Sequence, residues 1–275
     1  MKGEPLRTAL DDRSKHLRRQ ILRTMHAGGR GHLGAAFSLV EMLRVLFDDV
    51  LRYDPAQPKW PQRDRFLLSK GHGCAALYVL LAEKGFFPEA ELWKFCQPQG
   101  MLGGHPDWRT PGVEASTGSL GHGLSLATGF ALAAAMEKSP RRTFVVLGDG
   151  ESNEGTVWEA ALSARQHKLS NLIVLTDYNK QQSYASTAEV INLEPLADKW
   201  RSFGFAVEEV DGHDVAALRQ VLQRAPLAAD APTSIICHTV KGKGIREAEN
   251  NLAWHHVNRF PDELLQRLLG EVESY

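Results

Sequence analysis

The sequence predicts an α/β fold, a parallel sheet with helices on both faces, and three observations carry that expectation. The apolar runs 143–147 and 171–177 have strand length and flank a stretch of helical period. A strand–helix–strand unit of this kind is right-handed, with its strands parallel. Further strand-length runs at 65–69, 205–210 and 234–238 alternate with helical patterns along the rest of the chain. Turns rich in glycine and histidine follow several of these runs, where parallel sheets place their ligand sites.

Taken in order, Leu10, Leu17, Ile21, Leu22 and Met25 recur at helical spacing over 9–26, and Gly28-Gly29 supplies a stop. Ser38 is placed to cap a second helix over 39–49. The strand 65–69 enters Lys-Gly-His-Gly and is followed by an apolar helix over 75–84. Residues 97–118, rich in Gly, Pro and Thr, read as a loop, and a loop that long in a compact domain is usually functional or disordered. Small residues dominate a helix over 120–136 and permit close packing against a neighbour. Beyond the pair of strands at 143–147 and 171–177 come helices at 194–203, 214–224 and 261–269, with strands at 205–210 and 234–238 between them. No repeat, low-complexity tract or Gly/Ser linker interrupts the chain, so residues 1–275 are expected to form a single domain with an N-terminal helical segment.

Composition narrows the function by exclusion. A net charge of −1, from 32 basic and 33 acidic residues, gives no electrostatic case for nucleic acid or a membrane surface. Cys74, Cys96 and Cys237 are scattered without the paired spacing of a zinc site and suit a reducing compartment. The N-terminal stretch lacks the apolar core of a signal peptide, and no run of about eighteen apolar residues occurs, so a cytoplasmic protein is expected.

The most informative segment is Gly148-Asp149-Gly150-Glu151 at the end of one strand, with Asn179 at the end of the next. Parallel strands end at one sheet edge, so Asp149 and Asn179 meet there despite their separation in sequence. A carboxylate, an amide oxygen and a nearby carbonyl form a hard-oxygen half-shell suited to Mg²⁺ or Ca²⁺ when a phosphate completes it. Gly148 and Gly150 leave room for a diphosphate beside the amide groups that open the next helix. This pattern resembles the thiamine diphosphate motif, in which Gly-Asp-Gly is followed just under thirty residues later by Asn. The resemblance implies a thiamine-diphosphate-binding fold, with Asp149, Asn179 and the Gln181 carbonyl as metal ligands. Tyr178-Asn179-Lys180 departs from the paired asparagines common in that family but keeps the ligating position.

Histidines beside glycine recur in the expected loops: His32, His72, His105, His122 and His213. Any one of them is an ordinary turn residue. Together they offer imidazoles that can donate to phosphate and hydroxyl oxygens and move protons near neutral pH. The motifs Gly31-His32-Leu-Gly34, Ser69-Lys-Gly-His72-Gly, Gly104-His105-Pro106, Ser116-Thr-Gly118-Ser-Leu120-Gly121, Gly148-Asp149-Gly-Glu-Ser-Asn-Glu154-Gly155, Asp211-Gly-His-Asp214, Lys241-Gly-Lys-Gly244 and Trp254-His255 occur in the order found in transketolases. The chain resembles most closely the N-terminal subunit of split transketolases, from about residue 15 to 257. That resemblance implies that His32, His72, His105 and His255 face the thiazolium and the sugar hydroxyls. It implies that Gly118 and Leu120 lie along the aminopyrimidine, that Gly150 meets the diphosphate, and that Glu154 joins a carboxylate network between two active sites. His213 carries over no catalytic role and reads as structural. His122 stands where glutamine is common and puts an ionisable ring near the cofactor motif, and His255 is favoured over His256 by its spacing from Lys-Gly-Lys-Gly.

The same resemblance implies transfer of a two-carbon ketol unit from a ketose, expected to be phosphorylated, to an aldose. In the family a glutamate of a separate pyrimidine-binding domain activates the cofactor, and no segment after residue 257 is long enough to form such a domain. The expectation is therefore a chain that works only with a C-terminal transketolase partner, two copies of each in a heterotetramer. Two alternatives stand beside it: a subunit of another thiamine diphosphate enzyme, such as one like deoxyxylulose-phosphate synthase, and a non-catalytic cofactor-binding regulatory paralogue.

Overall fold

The structure, a computed structural model, describes residues 8–275. Helix α1 (Asp12–Gly28) begins under the Asp11 carboxylate, which accepts from the Ser14 N–H at 2.8 Å. It ends at Gly29, whose φ of 66° lets the Gly29 and Arg30 N–H groups bond back to His26 and Met25. Helices α2 (Leu33–Phe37) and α3 (Val40–Val45) follow, and α3 runs into a single π turn, Leu46–Val50. Ser38 does not cap α3 as expected. The backbone on both sides of it is already helical, with the Leu39 N–H on Ala36 and the Leu43 N–H on Leu39. No side chain caps α3, and the Ser38 hydroxyl instead donates to Asp177 at 2.6 Å.

The remaining elements are β1 (Arg65–Leu68), α4 (Cys74–Glu83), α5 (His122–Met136), β2 (Thr143–Gly148), α6 (Gly155–Gln166), β3 (Leu172–Tyr178), α7 (Thr187–Val190), α8 (Leu196–Ser202), β4 (Ala206–Asp211), α9 (Val215–Arg224), β5 (Thr233–His238) and α10 (Asp262–Ser274). All five expected strands form one sheet in the order β1-β2-β3-β5-β4, and every pair is parallel.

Alternation along the strands divides the core into two layers. Phe66, Leu68, Phe144, Val146, Ile173, Leu175, Ile235 and Cys237 face α1, α3, α4, α9 and α10. Leu67, Val145, Leu147, Leu172, Val174 and Ile236 face α5, α6 and α8. Both faces are thus apolar, which explains why the central strands read as unbroken hydrophobic runs. Ala127 and Ala131 of α5 share one buried cluster with Ala160, Ala161 and Ala164 of α6, and the two helices pack closely against each other. Each larger buried aliphatic contributes roughly 1.5–3 kcal/mol by leaving water.

Residues 97–118 contain no helix or strand, as expected, yet they are pinned in place. The Tyr78 hydroxyl of α4 donates to the His105 carbonyl at 2.8 Å, and the Thr117 hydroxyl donates to the Leu68 carbonyl at 2.8 Å. The loop therefore crosses the carboxyl end of β1. Among the described residues no helix is long and apolar enough to cross a membrane.

Candidate functional site

The carboxyl ends of β1, β2, β3 and β5 open into one cleft of about 440 Å³. Gly148 pairs with Asp177 in the sheet register, so Asp149 emerges directly beside the turn that leaves β3. The Asp149 carboxylate accepts from the Gly150 N–H at 2.7 Å and from the Lys180 N–H at 2.5 Å. The Asn179 side-chain oxygen accepts from the Gln181 N–H at 3.0 Å. Carboxylate, amide oxygen and the backbone of 179–181 are thereby gathered around one turn. Asp149 is 3% exposed, and burial together with the charge of Asp177 raises its pKa to about 7. Among the described residues its hydrogen-bond donors are neutral backbone groups, and a divalent cation would supply the counter-charge in direct contact.

Beneath it lies Asp177, fully buried, which accepts from Lys70, Ser38, Thr239 and Asn179. Lys70, 2% exposed, is its ion-pair partner and also lines the cleft. Although burial opposes its ionisation, Lys70 and these hydrogen bonds together hold the Asp177 carboxyl below the usual carboxylate range. Lys241 approaches from the loop after β5 and donates to the Gln182 carbonyl at 2.6 Å. Burial, and then the charge of Lys70, lowers its pKa to about 8. Three cleft-lining polar atoms, Gln181 Oε1, Gln182 Nε2 and His255 Nδ1, are buried without a partner among the described residues. Together with the hard-oxygen set at Asp149 and Asn179, these unsatisfied groups fit a polyanionic ligand with its cation. The glycine at 150 has a second reason beyond the expected room for a diphosphate. A Cβ there would lie 2.8 Å from Gln182 Cγ, so a larger residue would have to displace the Gln182 side chain that lines the cleft.

Opposite this turn stand the imidazoles. The His32 ring lies 5.5 Å from His72, 6.2 Å from His105, 5.4 Å from His255 and 4.6 Å from His256, centroid to centroid. Burial, and then repulsion from the neighbouring His256, His255 and His105 rings when they are protonated and from Arg30, holds the His32 pKa down to about 3. Burial and Lys241 hold His255 at about 4, and burial and Lys70 hold His72 well below its ordinary value. Burial also lowers His105. These four rings are therefore neutral near pH 7. Their nitrogens can accept protons from, or donate hydrogen bonds to, a polyhydroxylated ligand.

Every residue assigned to the site from the sequence lines this cleft: His32, His72, His105, Gly118, Leu120, Asp149, Gly150, Glu154, Asn179, Gln181 and His255. Between the two consecutive histidines, His255 faces this cleft, and His256 faces a neighbouring cavity. His122 stays beside the Ser-Leu-Gly turn of the cofactor motif but outside the cleft. It is the first residue of α5, exposed, with Nδ1 3.2 Å from the Leu120 carbonyl, and it does not line the cleft. His213 is structural as expected. Its Nε2 accepts from the Val240 N–H at 2.8 Å, and its Nδ1 meets Glu41 at 2.8 Å, which Arg18 in turn holds at 2.6 Å. That buried chain of contacts fixes the loop carrying Lys241.

Lys70, Lys241 and Gln182 were missed by sequence reasoning. The two lysines sit inside motifs already noted, Ser-Lys-Gly-His-Gly and Lys-Gly-Lys-Gly, but only their burial distinguishes them from solvated surface lysines.

Residues 13–266 match the family described as transketolase, thiamine diphosphate binding domain. The chain is 42% identical over 266 residues to the 6-deoxy-6-sulfo-D-fructose transketolase subunit SqwG of Clostridium sp. (strain MSTE9), covering 96% of each. It is 41% identical over 257 residues to an apulose-4-phosphate transketolase subunit of Actinobacillus succinogenes, covering 93% of each. Transketolase from Leishmania mexicana superposes with a TM-score of 0.89 at 31% identity, over 97% of this chain and 41% of that one. The chain thus spans about two-fifths of the solved transketolase it matches. Sequence, sheet order and cleft agree, and the chain belongs to the transketolase family, with the thiamine diphosphate binding domain of that family as its fold.

Proposed function

We propose that this chain is the diphosphate-binding subunit of a two-chain transketolase that moves a two-carbon ketol unit from an anionic ketose to an aldose. The observation that carries the reading is the meeting, in one cleft, of the Asp149–Gln181 turn and four neutral histidines. Bound thiamine diphosphate supplies the electron sink for breaking the carbon–carbon bond next to a ketose carbonyl. Asp149, Asn179 and the Gln181 carbonyl hold Mg²⁺ or Ca²⁺, and Gly150 lies against the diphosphate. Gly118 and Leu120 flank the aminopyrimidine, and His72 also borders the cofactor. His32, His72, His105 and His255 bind and orient the sugar hydroxyls and carry their protons, and Glu154 at the cleft rim faces a second active site. The partner is a C-terminal transketolase subunit with the pyrimidine-binding domain, in a complex of two copies of each chain in the cytoplasm. Relatives named as transketolase subunits support the partner, because this chain covers nearly the whole of each. The sulfonated and phosphorylated sugars in their names support an anionic substrate.

Alanine at His72 or His105 is expected to lower turnover of the reconstituted enzyme roughly 10²-fold or more, with cofactor affinity nearly unchanged. Steady-state kinetics beside calorimetric cofactor titration separates this from a structural role. A structural histidine would lower thermal stability and leave the specific activity of the folded fraction normal.

The proton on Asp149 gives the cation site a pH dependence. Its pKa rises on folding to about 7, so the cation-free fold is favoured at low pH and loses that contribution as pH rises through about 7. A cation competes with that proton, so Mg²⁺-dependent cofactor affinity should be full above pH 7 and fall as pH drops below it. Titrations from pH 5.5 to 8.5 would show this trend, whereas affinity independent of pH would remove Asp149 from the cation's ligands.

A further inference from the structure

The turn that leaves β3 carries a hydrogen-bond donor with no acceptor. Gln182 has its backbone held on both sides: its N–H donates to the Ala185 carbonyl at 2.9 Å, and its own carbonyl accepts from Lys241 at 2.6 Å. The isolated bridge between Gln181 and Ser186 closes the same short turn, as does the Thr187 N–H on the Lys180 carbonyl at 3.0 Å. A backbone fixed in this way gives the side chain a set direction, and that direction is over Gly150. A Cβ built on Gly150 would lie 2.8 Å from Gln182 Cγ, 3.0 Å from Cδ and 3.4 Å from Nε2. Both residues line the cleft, yet Gln182 Nε2 is buried with no partner among the described residues.

A buried amide nitrogen without an acceptor works against the fold, and native structures seldom keep one. The groups around it indicate what it awaits. The Gly150 and Lys180 N–H groups are committed to the Asp149 carboxylate, and the Gln181 N–H to Asn179. Lys70 is paired with Asp177, and Lys241 with the Gln182 carbonyl. Gln182 Nε2 is thus a donor left over at the glycine that lets an anion approach the backbone. Gln181, one residue earlier, cannot share that role. Its Nε2 donates to the Asn250 carbonyl at 2.9 Å, and its partnerless atom is an oxygen, which an anion repels.

We propose that Gln182 is a cofactor-binding residue whose side-chain amide donates, across Gly150, to an oxygen of the diphosphate. The identity of the ligand rests on the thiamine diphosphate reading of the cleft, whereas the orphaned donor stands without it. A bond from an amide to a charged oxygen is stronger than one between neutral groups, so the contact favours the loaded chain. In the ligand-free chain the same amide is a burden. An apolar side chain of similar length should therefore weaken cofactor binding without weakening the fold, a combination that a structural glutamine would not give.

The first test needs neither a partner nor activity. Inorganic diphosphate with saturating Mg²⁺ is titrated into the full chain, with glutamine side-chain amide signals followed by NMR and affinities taken from calorimetry. A saturable shift of the Gln182 amide is expected, with affinity at least tenfold weaker (about 1.4 kcal/mol) in Gln182→Met. The ligand-free Tm of that variant should equal or exceed the parent's. Saturation without a shift at Gln182, or equal affinities in the two proteins, would overturn the contact. Weaker binding accompanied by a lower ligand-free Tm would also overturn it, since the glutamine would then serve the fold. In the reconstituted enzyme Gln182→Met should raise the Kd of thiamine diphosphate about tenfold and leave kcat at saturating cofactor within about threefold. A larger fall in kcat would place the amide at the reacting centre and overturn the diphosphate contact. A chain that binds diphosphate through Gln182 yet shows no ketol transfer would instead overturn the transketolase reading and leave the contact standing.

Discussion

Asp149→Ala should lose cation-dependent retention of thiamine diphosphate by roughly 10²–10³-fold or more, corresponding to the ~2–5 kcal/mol of a truncated buried charge partner. The carboxylate is the only acidic member of the proposed cation set, and its two oxygens order the turns at Gly150 and Lys180. Its removal leaves the diphosphate's charge without a bridging ion. The fold should tolerate the change. Burial and Asp177 already work against the ionised form, so the cation-free variant should be no less stable than the parent above pH 7. Calorimetry with thiamine diphosphate and Mg²⁺, beside thermal denaturation of the cation-free proteins, measures both halves. Unchanged cofactor affinity in the variant would remove Asp149 from the cation site.

Lys70→Met should cost roughly 3–5 kcal/mol of stability, because it strands the buried Asp177 carboxylate without its counter-charge. Ser38, Thr239 and Asn179 still donate to that carboxylate, but none of them is charged. The pKa of Asp177 is depressed on folding, so its contribution is present above the ordinary carboxylate pKa of about 4 and disappears as pH falls below it. Denaturant unfolding at pH 7 gives the magnitude. Lys70→Met combined with Asp177→Asn should recover much of the loss, since the stranded charge is then gone. A loss below about 1 kcal/mol in the single variant would mean that the pair is not what holds the β1 and β3 ends together.

The sheet was legible because β2, β3 and β5 are buried on both faces, and a run such as Thr-Phe-Val-Val-Leu has little other use. The site was legible because strand ends converge: once Asp149 and Asn179 follow parallel neighbours, their proximity is topological. What remained hidden depended on packing. The 3₁₀ segment Glu89–Lys94 and the short helix α7, opened by the reciprocal Ser186–Glu189 cap, are too brief to leave a period in the sequence. Ser38 has the residue type of a cap, and only the tertiary position of Asp177 draws its hydroxyl away. Lys70 and Lys241 read as ordinary lysines until the sheet edge closes over them. His122, conspicuous in sequence beside the Ser-Thr-Gly-Ser-Leu-Gly turn, points out of the cleft because it opens α5 on that helix's exposed side.

Supply of the cofactor's pyrimidine half by a second polypeptide is the central claim, and it is tested most directly by assaying ketol transfer with and without that polypeptide. The purified chain, given thiamine diphosphate, Mg²⁺, an anionic ketose donor and an aldose acceptor, should show no turnover. Adding the transketolase-like product of a neighbouring reading frame should produce turnover that saturates at equal amounts of the two chains, in a complex containing two of each. Full activity from this chain alone would contradict the two-chain reading.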